Sequence, residues 1–342
     1  MIVDNLFSSI ARGKQGLNKG LSSGLPEFDT YTYGVQRRWM TVVAGDSGSG
    51  KSSLALYSHI YEPFMQYCND SSLDIHFLLF SFEMSAEVLL AKLLSLYIYE
   101  VYGKILSYNN ILSLTSVLPD EDYALIEEAK PWLQKFESIC DIVDKPTTAK
   151  GLYAECKKWS KKFGVYKEVE RTDDYVKEEY VPNNPEQYLI VVVDHIKLLS
   201  PASGHTSKQE IDEACDYLIH FRNKCNFTIT IVQQFNRNFK SMDRRTSENY
   251  LPSLEDLSDS GGPAQASETV IAIYHPHREK RFRCEGYDIR QLKDRARMLV
   301  LLKNRFGMSD KLKMTAFYGE TGIWNELPKP EQICDYGIYQ DL

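Results

Sequence analysis

A chain of 342 residues, 43% apolar and 25% charged, is long enough to bury a large core, and no run in it approaches the ~18 apolar residues of a membrane span. A net charge of −7 excludes a protein coated in basic surface, although a nucleic-acid site asks only for a local basic patch. Seven cysteines without CxxC pairs fit reduced thiols rather than disulfides or a zinc site, and the opening MIVDNLFSSIARGKQG lacks a secretory signal pattern, so the cytoplasm is the expected compartment.

Residues 1–20 read as a short separable arm, and residues 21–342 as one domain. Apolar runs recur along it: WMTVVAG (39–45), DIHFLLF (74–80), SICDIVD (138–144), YLIVVVD (188–194), TITIVQQ (228–234), VIAIYH (270–275) and MLVLLK (298–303). They predict seven strands. Several are apolar throughout instead of alternating, as expected where helices cover both faces of a mostly parallel sheet. Helical stripes fall between them, at Leu89, Leu93 and Leu96, at Leu152, Cys156, Trp159 and Phe163, and at Ile211, Cys215 and Leu218. The final KLKMTAFYGETGIWNEL (311–327) predicts a β-hairpin. This alternation implies an α/β fold with right-handed crossovers and ligand sites at the carboxyl ends of the strands.

Two charge runs interrupt the pattern. Residues 165–187 hold seven acids against three bases, and residues 277–297 eight bases against four acids. A solvated surface loop is the commoner fate of either, and the second suggests that one end of the sheet is basic.

The stretch Gly45-Asp46-Ser47-Gly48-Ser49-Gly50-Lys51-Ser52 is a complete Walker A loop lying between a predicted strand and a helical segment. Its glycines let backbone N–H groups turn toward phosphates, and the helix that starts at Ser52 and Ser53 adds its positive end. Lys51 is suited to the β- and γ-phosphates of ATP, and the Ser52 hydroxyl to Mg²⁺. Asp194 ends the run LIVVVD in the Walker B manner and is the second magnesium candidate, although an acid at a strand end is often only a cap or loop contact. Glu83 follows the strand HFLLFSF and is a candidate for orienting and deprotonating the attacking water, or a residue favouring the next helix N-terminus. Gln233 and Gln234 end another strand, where an amide can bond a γ-phosphate. Lys303 and Arg305 complement phosphate charge or are solvated residues of a sheet edge.

Taken in order, Gly20 to Asp29 (GLSSGLPEFD), the Walker A loop, Phe80 to Ser85 (FSFEMS), Val193-Asp194-His195, Gln233 to Arg237 (QQFNR), Leu257 to Gly262 (LSDSGG) and Lys303 to Gly307 (KNRFG) resemble the RecA-like ATPase domain of DnaB-type replicative DNA helicases. The resemblance runs from about Gly20 to the C-terminus. It implies a RecA-like P-loop core with a C-terminal hairpin, Glu83 as catalytic base, Gln234 as γ-phosphate sensor, and Lys303 and Arg305 acting on the ATP of a neighbouring subunit. It also implies a ring, of six subunits by family habit, moving on single-stranded or forked DNA, with primase, polymerase or loader proteins as partners. Ser258 stands where the pattern has an arginine, so Arg237, Lys240, Arg244 and Arg245, with Asp259 and Gly261, are the DNA-binding candidates. On this resemblance, about 20 residues are expected in place of the helical N-terminal domain of bacterial members, as in compact phage-encoded relatives, and 165–187 is expected to be an insertion. Other uses of the same core stay open: a recombinase or clock-type ATPase without helicase activity, a small-molecule kinase, or a non-catalytic ATP-gated scaffold.

Overall fold

All seven apolar runs become strands in the computed structural model, which describes residues 2–171, 176–236, 239, 250–257 and 262–341. In chain order the strands are β1 (Met40–Gly45), β2 (Ile75–Ser81), β3 (Cys140–Val143), β4 (Gly164–Arg171), β5 (Val176–Pro182), β6 (Tyr188–Asp194), β7 (Phe227–Gln234), β8 (Thr269–Tyr274), β9 (Arg283–Cys284), β10 (Tyr287–Asp288), β11 (Ala296–Asn304), β12 (Lys311–Tyr318) and β13 (Ile323–Glu326). Nine of them form one sheet in the order β13-β12-β11-β8-β1-β7-β6-β2-β3. Neighbours from β8 to β3 are parallel, while β11, β12 and β13 add antiparallel on the far side of β8. Every residue of β6 and of β8 is buried, so both faces of the sheet are covered. The terminal run forms the expected hairpin β12–β13.

The described helices up to β7 are α1 (Ile2–Lys14), α2 (Pro26–Thr32), α3 (Lys51–Leu56), α4 (Glu62–Asn69), α5 (Ala86–Tyr102), α6 (Tyr108–Ile111), α7 (Asp120–Glu137), α8 (Ala149–Ser160) and α9 (Ser207–Cys225), and a short one, Gly262–Ala266, precedes β8. A π-helical turn, Tyr57–Tyr61, joins α3 to α4. Helix α5 starts where the Ser85 side chain accepts from the Val88 amide and stops at Gly103, whose φ of 66° suits glycine. Its Leu89, Leu93 and Leu96 are buried, as are Leu152, Cys156 and Trp159 of α8 and Ile211, Cys215 and Leu218 of α9. Phe163, beyond the end of α8, packs at the margin of that core. Helix α1 leaves Val3, Leu6, Phe7 and Ile10 exposed.

The acidic run is not a loop. It forms the hairpin β4–β5, because Tyr166 and Tyr180 alternate onto one face and dock there. The Tyr166 hydroxyl bonds Ser160 Oγ at 2.6 Å, and Tyr180 donates to the Ser160 carbonyl at 3.0 Å. The basic run is likewise folded, into the short ribbon β9–β10 and a helical turn, Ile289–Leu292.

A half-buried acid lies under the entry segment. Glu62 packs against Gly24, where an added Cβ would fall 2.7 Å from Glu62 Cγ. Burial, then the nearby Glu100, raises the Glu62 pKa to about 7. The folded state therefore holds a proton that the unfolded chain loses at the usual glutamate pKa, and stability falls as pH rises toward 7. Glu62→Gln is expected to melt above the parent protein at pH 8 and level with it at pH 4.5, in parallel thermal unfolding; equal melting at both would show that Glu62 ionises freely.

Candidate active site at the carboxyl ends of the parallel strands

Strand β1 ends at Gly45, and the loop that follows turns directly into α3 at Lys51. Gly48 (φ 71°) and Gly50 (φ 102°) hold conformations that L side chains rarely adopt. Lys51 is 8% exposed, and its Nζ donates to the Asp46 carbonyl at 2.8 Å. Burial lowers its pKa, against the carboxylates of Asp194, Asp46 and Glu83. Gln234 is level with Gly45 on the adjacent β7, and Asp194 is level with Ser81 where β6 meets β2. The strand order thus sets the loop, Gln234, Asp194 and Glu83 along one end of the sheet, in steps of roughly 4.8 Å per strand.

Asp194 is 8% exposed, and its Oδ1 has no hydrogen-bond partner. Burial raises its pKa to about 6, the Ser52 hydroxyl lowers it by hydrogen bonding, and Glu83 raises it further. A buried carboxylate with an open oxygen beside a serine hydroxyl fits a hydrated divalent cation. Glu83 is exposed. It does not cap α5, whose N-terminus is already served by Ser85 and by Asp144 Oδ2, which accepts from the Ala86 amide at 3.1 Å.

Lys303 and Arg305 are absent from this cluster. Strand β11 runs antiparallel to β8, so Arg305 lies at the amino ends of β8 and β1, roughly 17 Å from Gly45 by strand rise. They do not mark a sheet edge either, since β11 has β8 and β12 on its two sides. Lys303 donates to the carbonyls of Ala264 and Gln265, both at 2.8 Å. Arg305 donates to the buried Glu268 at 2.8 Å, and the same carboxylate accepts from Arg222 at 2.9 Å and from the Met40 amide at 2.7 Å. Arg237, Lys240, Arg244, Arg245, Asp259 and Gly261 lie outside the described residues.

The whole ordered set of motifs, from Gly20 to Gly307, falls within residues that match the DnaB-like helicase C-terminal domain, 20–169 and 176–323. The chain belongs to that family. Membership makes it an ATP-hydrolysing DNA helicase domain of the replicative kind. The solved ATPase domain of a phage helicase has the same fold, with a TM-score of 0.69 at 18% identity over 95% of this chain and 99% of that one. A DnaB-like replicative helicase described with its primase interactions gives 0.65 at 19% identity over 90% of this chain and 64% of its own length. No curated protein matches. The interruption of the family match at 170–175 falls inside the acidic run. Among the described residues no helix is long and apolar enough to cross a membrane.

Four residues at the DnaB-like site escaped sequence reasoning. Lys92 of α5 acts on both Asp194 and Glu83, and as the only cation in a 17-residue helix it was visible in principle. Arg278 donates to the Ser47 carbonyl, and Arg297 to the Ser49 carbonyl at 2.8 Å. Trp324 of β13 packs under the loop, and a Cβ on Gly50 would meet its Cζ2 at 2.9 Å. Gly50→Ala therefore adds a collision to backbone strain of about 1–3 kcal/mol. The variant is expected to melt lower and to bind a fluorescent ATP analogue at least tenfold more weakly; undiminished binding would place the nucleotide elsewhere.

Proposed function

We propose that this DnaB-like chain is a ring-forming, ATP-driven translocase on single-stranded DNA that unwinds a replication fork, with residues 21–342 as motor and residues 1–20 as arm. The observation that carries this is the separation of its charges: the loop and Glu83 lie at one end of the sheet, and Arg305 lies a strand length away at the other. An arginine placed there is out of reach of its own nucleotide and serves a neighbour's. In this reading Gly45 to Ser53 hold ATP, Lys51 neutralises its β- and γ-phosphates, Glu83 orients and deprotonates the attacking water, and Gln234 bonds the γ-phosphate. Ser52 and Asp194 hold Mg²⁺, which when bound offsets phosphate charge. Lys303 and Arg305 reach the adjoining subunit's ATP. Arg237, Lys240, Arg244, Arg245, Asp259 and Gly261 follow the strand, and primase, polymerase or a loader docks on the assembly in the cytoplasm, that of a host if the chain is phage-encoded.

Glu83→Gln is expected to bind ATP and assemble normally while hydrolysis falls at least a hundredfold, because the amide keeps the shape and loses the base; a parental rate would reduce Glu83 to a turn residue.

Arg305→Ala is expected to lose about 10³–10⁵ in turnover while nucleotide binding changes little. Mixing decides where the arginine acts. Subunits carrying only Arg305→Ala are combined with subunits carrying only Lys51→Ala, and DNA-stimulated ATP turnover is followed. Shared sites restore activity, since some interfaces pair an intact loop with an intact arginine. Co-assembled mixtures that stay inactive would refute the shared site, and turnover without unwinding of forked DNA would favour a clock-type or recombinase-type role.

A further inference from the structure

The basic run after β8 builds a cleft of about 980 Å³ against the phosphate loop. Arg278, Lys280, Arg281, Arg290, Lys293 and Arg297 line it, with Asp294 as the one carboxylate. Lys51 and the loop amides already answer the phosphates of ATP, and a nucleoside carries no charge, so six further cations exceed what the nucleotide needs. The cleft extends from the phosphate loop at Gly48 to Arg281 and Phe282. On one side Arg278 and Arg297 hold the Ser47 and Ser49 carbonyls. On the other, the Arg281 guanidinium lies 4.2 Å over the ring of Tyr250, whose hydroxyl donates to Glu285 at 2.9 Å.

Two more features face this space. Phe282 is 72% exposed among the cations, an aromatic face left open to solvent. His275 is 8% exposed, and neither ring nitrogen completes a hydrogen bond, although Asp294 Oδ1 stands 3.2 Å from Nε2. Burial, then Arg297, His277 and Arg278, lowers its pKa to about 3, so the ring is neutral and keeps an N–H to donate. His275, His277 and Asp294 bring ligand atoms within 4.8 Å of one another, as a metal site would. The surrounding guanidinium and ammonium groups repel a metal cation, however, and attract an anion.

We propose that this cleft is a second nucleic-acid surface, which grips the phosphates of a single strand with its lysines and arginines and stacks a base on Phe282. A cationic groove interleaved with an open aromatic ring is the general means of holding single strands without reading sequence. The residues that form it are other than Arg237, Lys240, Arg244, Arg245, Asp259 and Gly261, the DNA-binding candidates of the sequence, and the proposal rests on the translocase reading above.

The test uses the full chain, a labelled oligothymidylate and fluorescence anisotropy across a salt series. Phe282→Ala is expected to weaken binding by about 5- to 100-fold, the contribution of one stacked base. Lys280→Gln with Lys293→Gln is expected to reduce the slope of log affinity against log salt by roughly 1.4, two phosphate contacts at about 0.7 each. Independently of any variant, an oligonucleotide carrying 5-iodouracil is expected to photocrosslink the unaltered protein within residues 276–293, with or without a saturating non-hydrolysable ATP analogue. If the unaltered protein binds the strand but both variants match it and crosslinks map only to 236–262, the cleft proposal is overturned and the translocase reading stands. Loss of the 276–293 crosslink on adding the analogue overturns it too, by giving the cleft to nucleotide. No binding by the unaltered protein overturns both.

Discussion

Four adjacent parallel strands of this sheet, hydrogen-bonded along both edges, carry no carboxylate, lysine or arginine before their last residue, and they emerge together. Strands β1, β7, β6 and β2 are buried almost throughout, and their polar residues collect just past their ends as the loop from Gly45, Gln234, Asp194 and Glu83. The chemistry depends on this register. A shift by one residue would reverse which face every side chain meets and would bring Val193 to the position of Asp194. Burial then acts on the charges themselves. The Asp194 pKa rises to about 6 and that of Lys51 falls, so both groups lean toward neutrality, and opposite charges entering the loop restore them.

The sheet and the phosphate loop were legible because their causes are local. A run such as LIVVVD has one use in a large α/β chain, and the spacing of glycines around Lys51 has one shape. The roles of Glu83 and Asp194 were less so, since an acid at a strand end caps a helix as readily as it serves a reaction. What separates the two is that Ser85 already caps α5 and that Asp194 Oδ1 has no partner, and neither is visible in the linear order. The hairpin β4–β5 was hidden for a different reason. Its outer face is so charged that the alternation of Tyr166 and Tyr180 is swamped, and the partner that makes those tyrosines a buried face, Ser160 at the end of α8, is known only after folding.

Long-range pairs were illegible altogether. Trp324 lies 274 positions after Gly50 in the numbering, and Arg297 is 248 residues from the Ser49 carbonyl it serves. These contacts set the floor and wall of the phosphate loop. They follow from the antiparallel return of β11, β12 and β13, which brings the end of the chain back beside its beginning.

Glu268 is one carboxylate facing two guanidinium groups, a node with a net positive charge. Were Arg305 drawn off by a stronger anion, Glu268 would keep Arg222 and the Met40 amide, so no buried charge would be stranded, and the usual large cost of breaking an internal ion pair would not arise. The surplus arginine is in this sense detachable. Its carboxylate is bonded to the first residue of β1, the same strand whose last residue opens the phosphate loop. The detachable arginine and the ligand cradle are thus joined through a single buried strand of six residues.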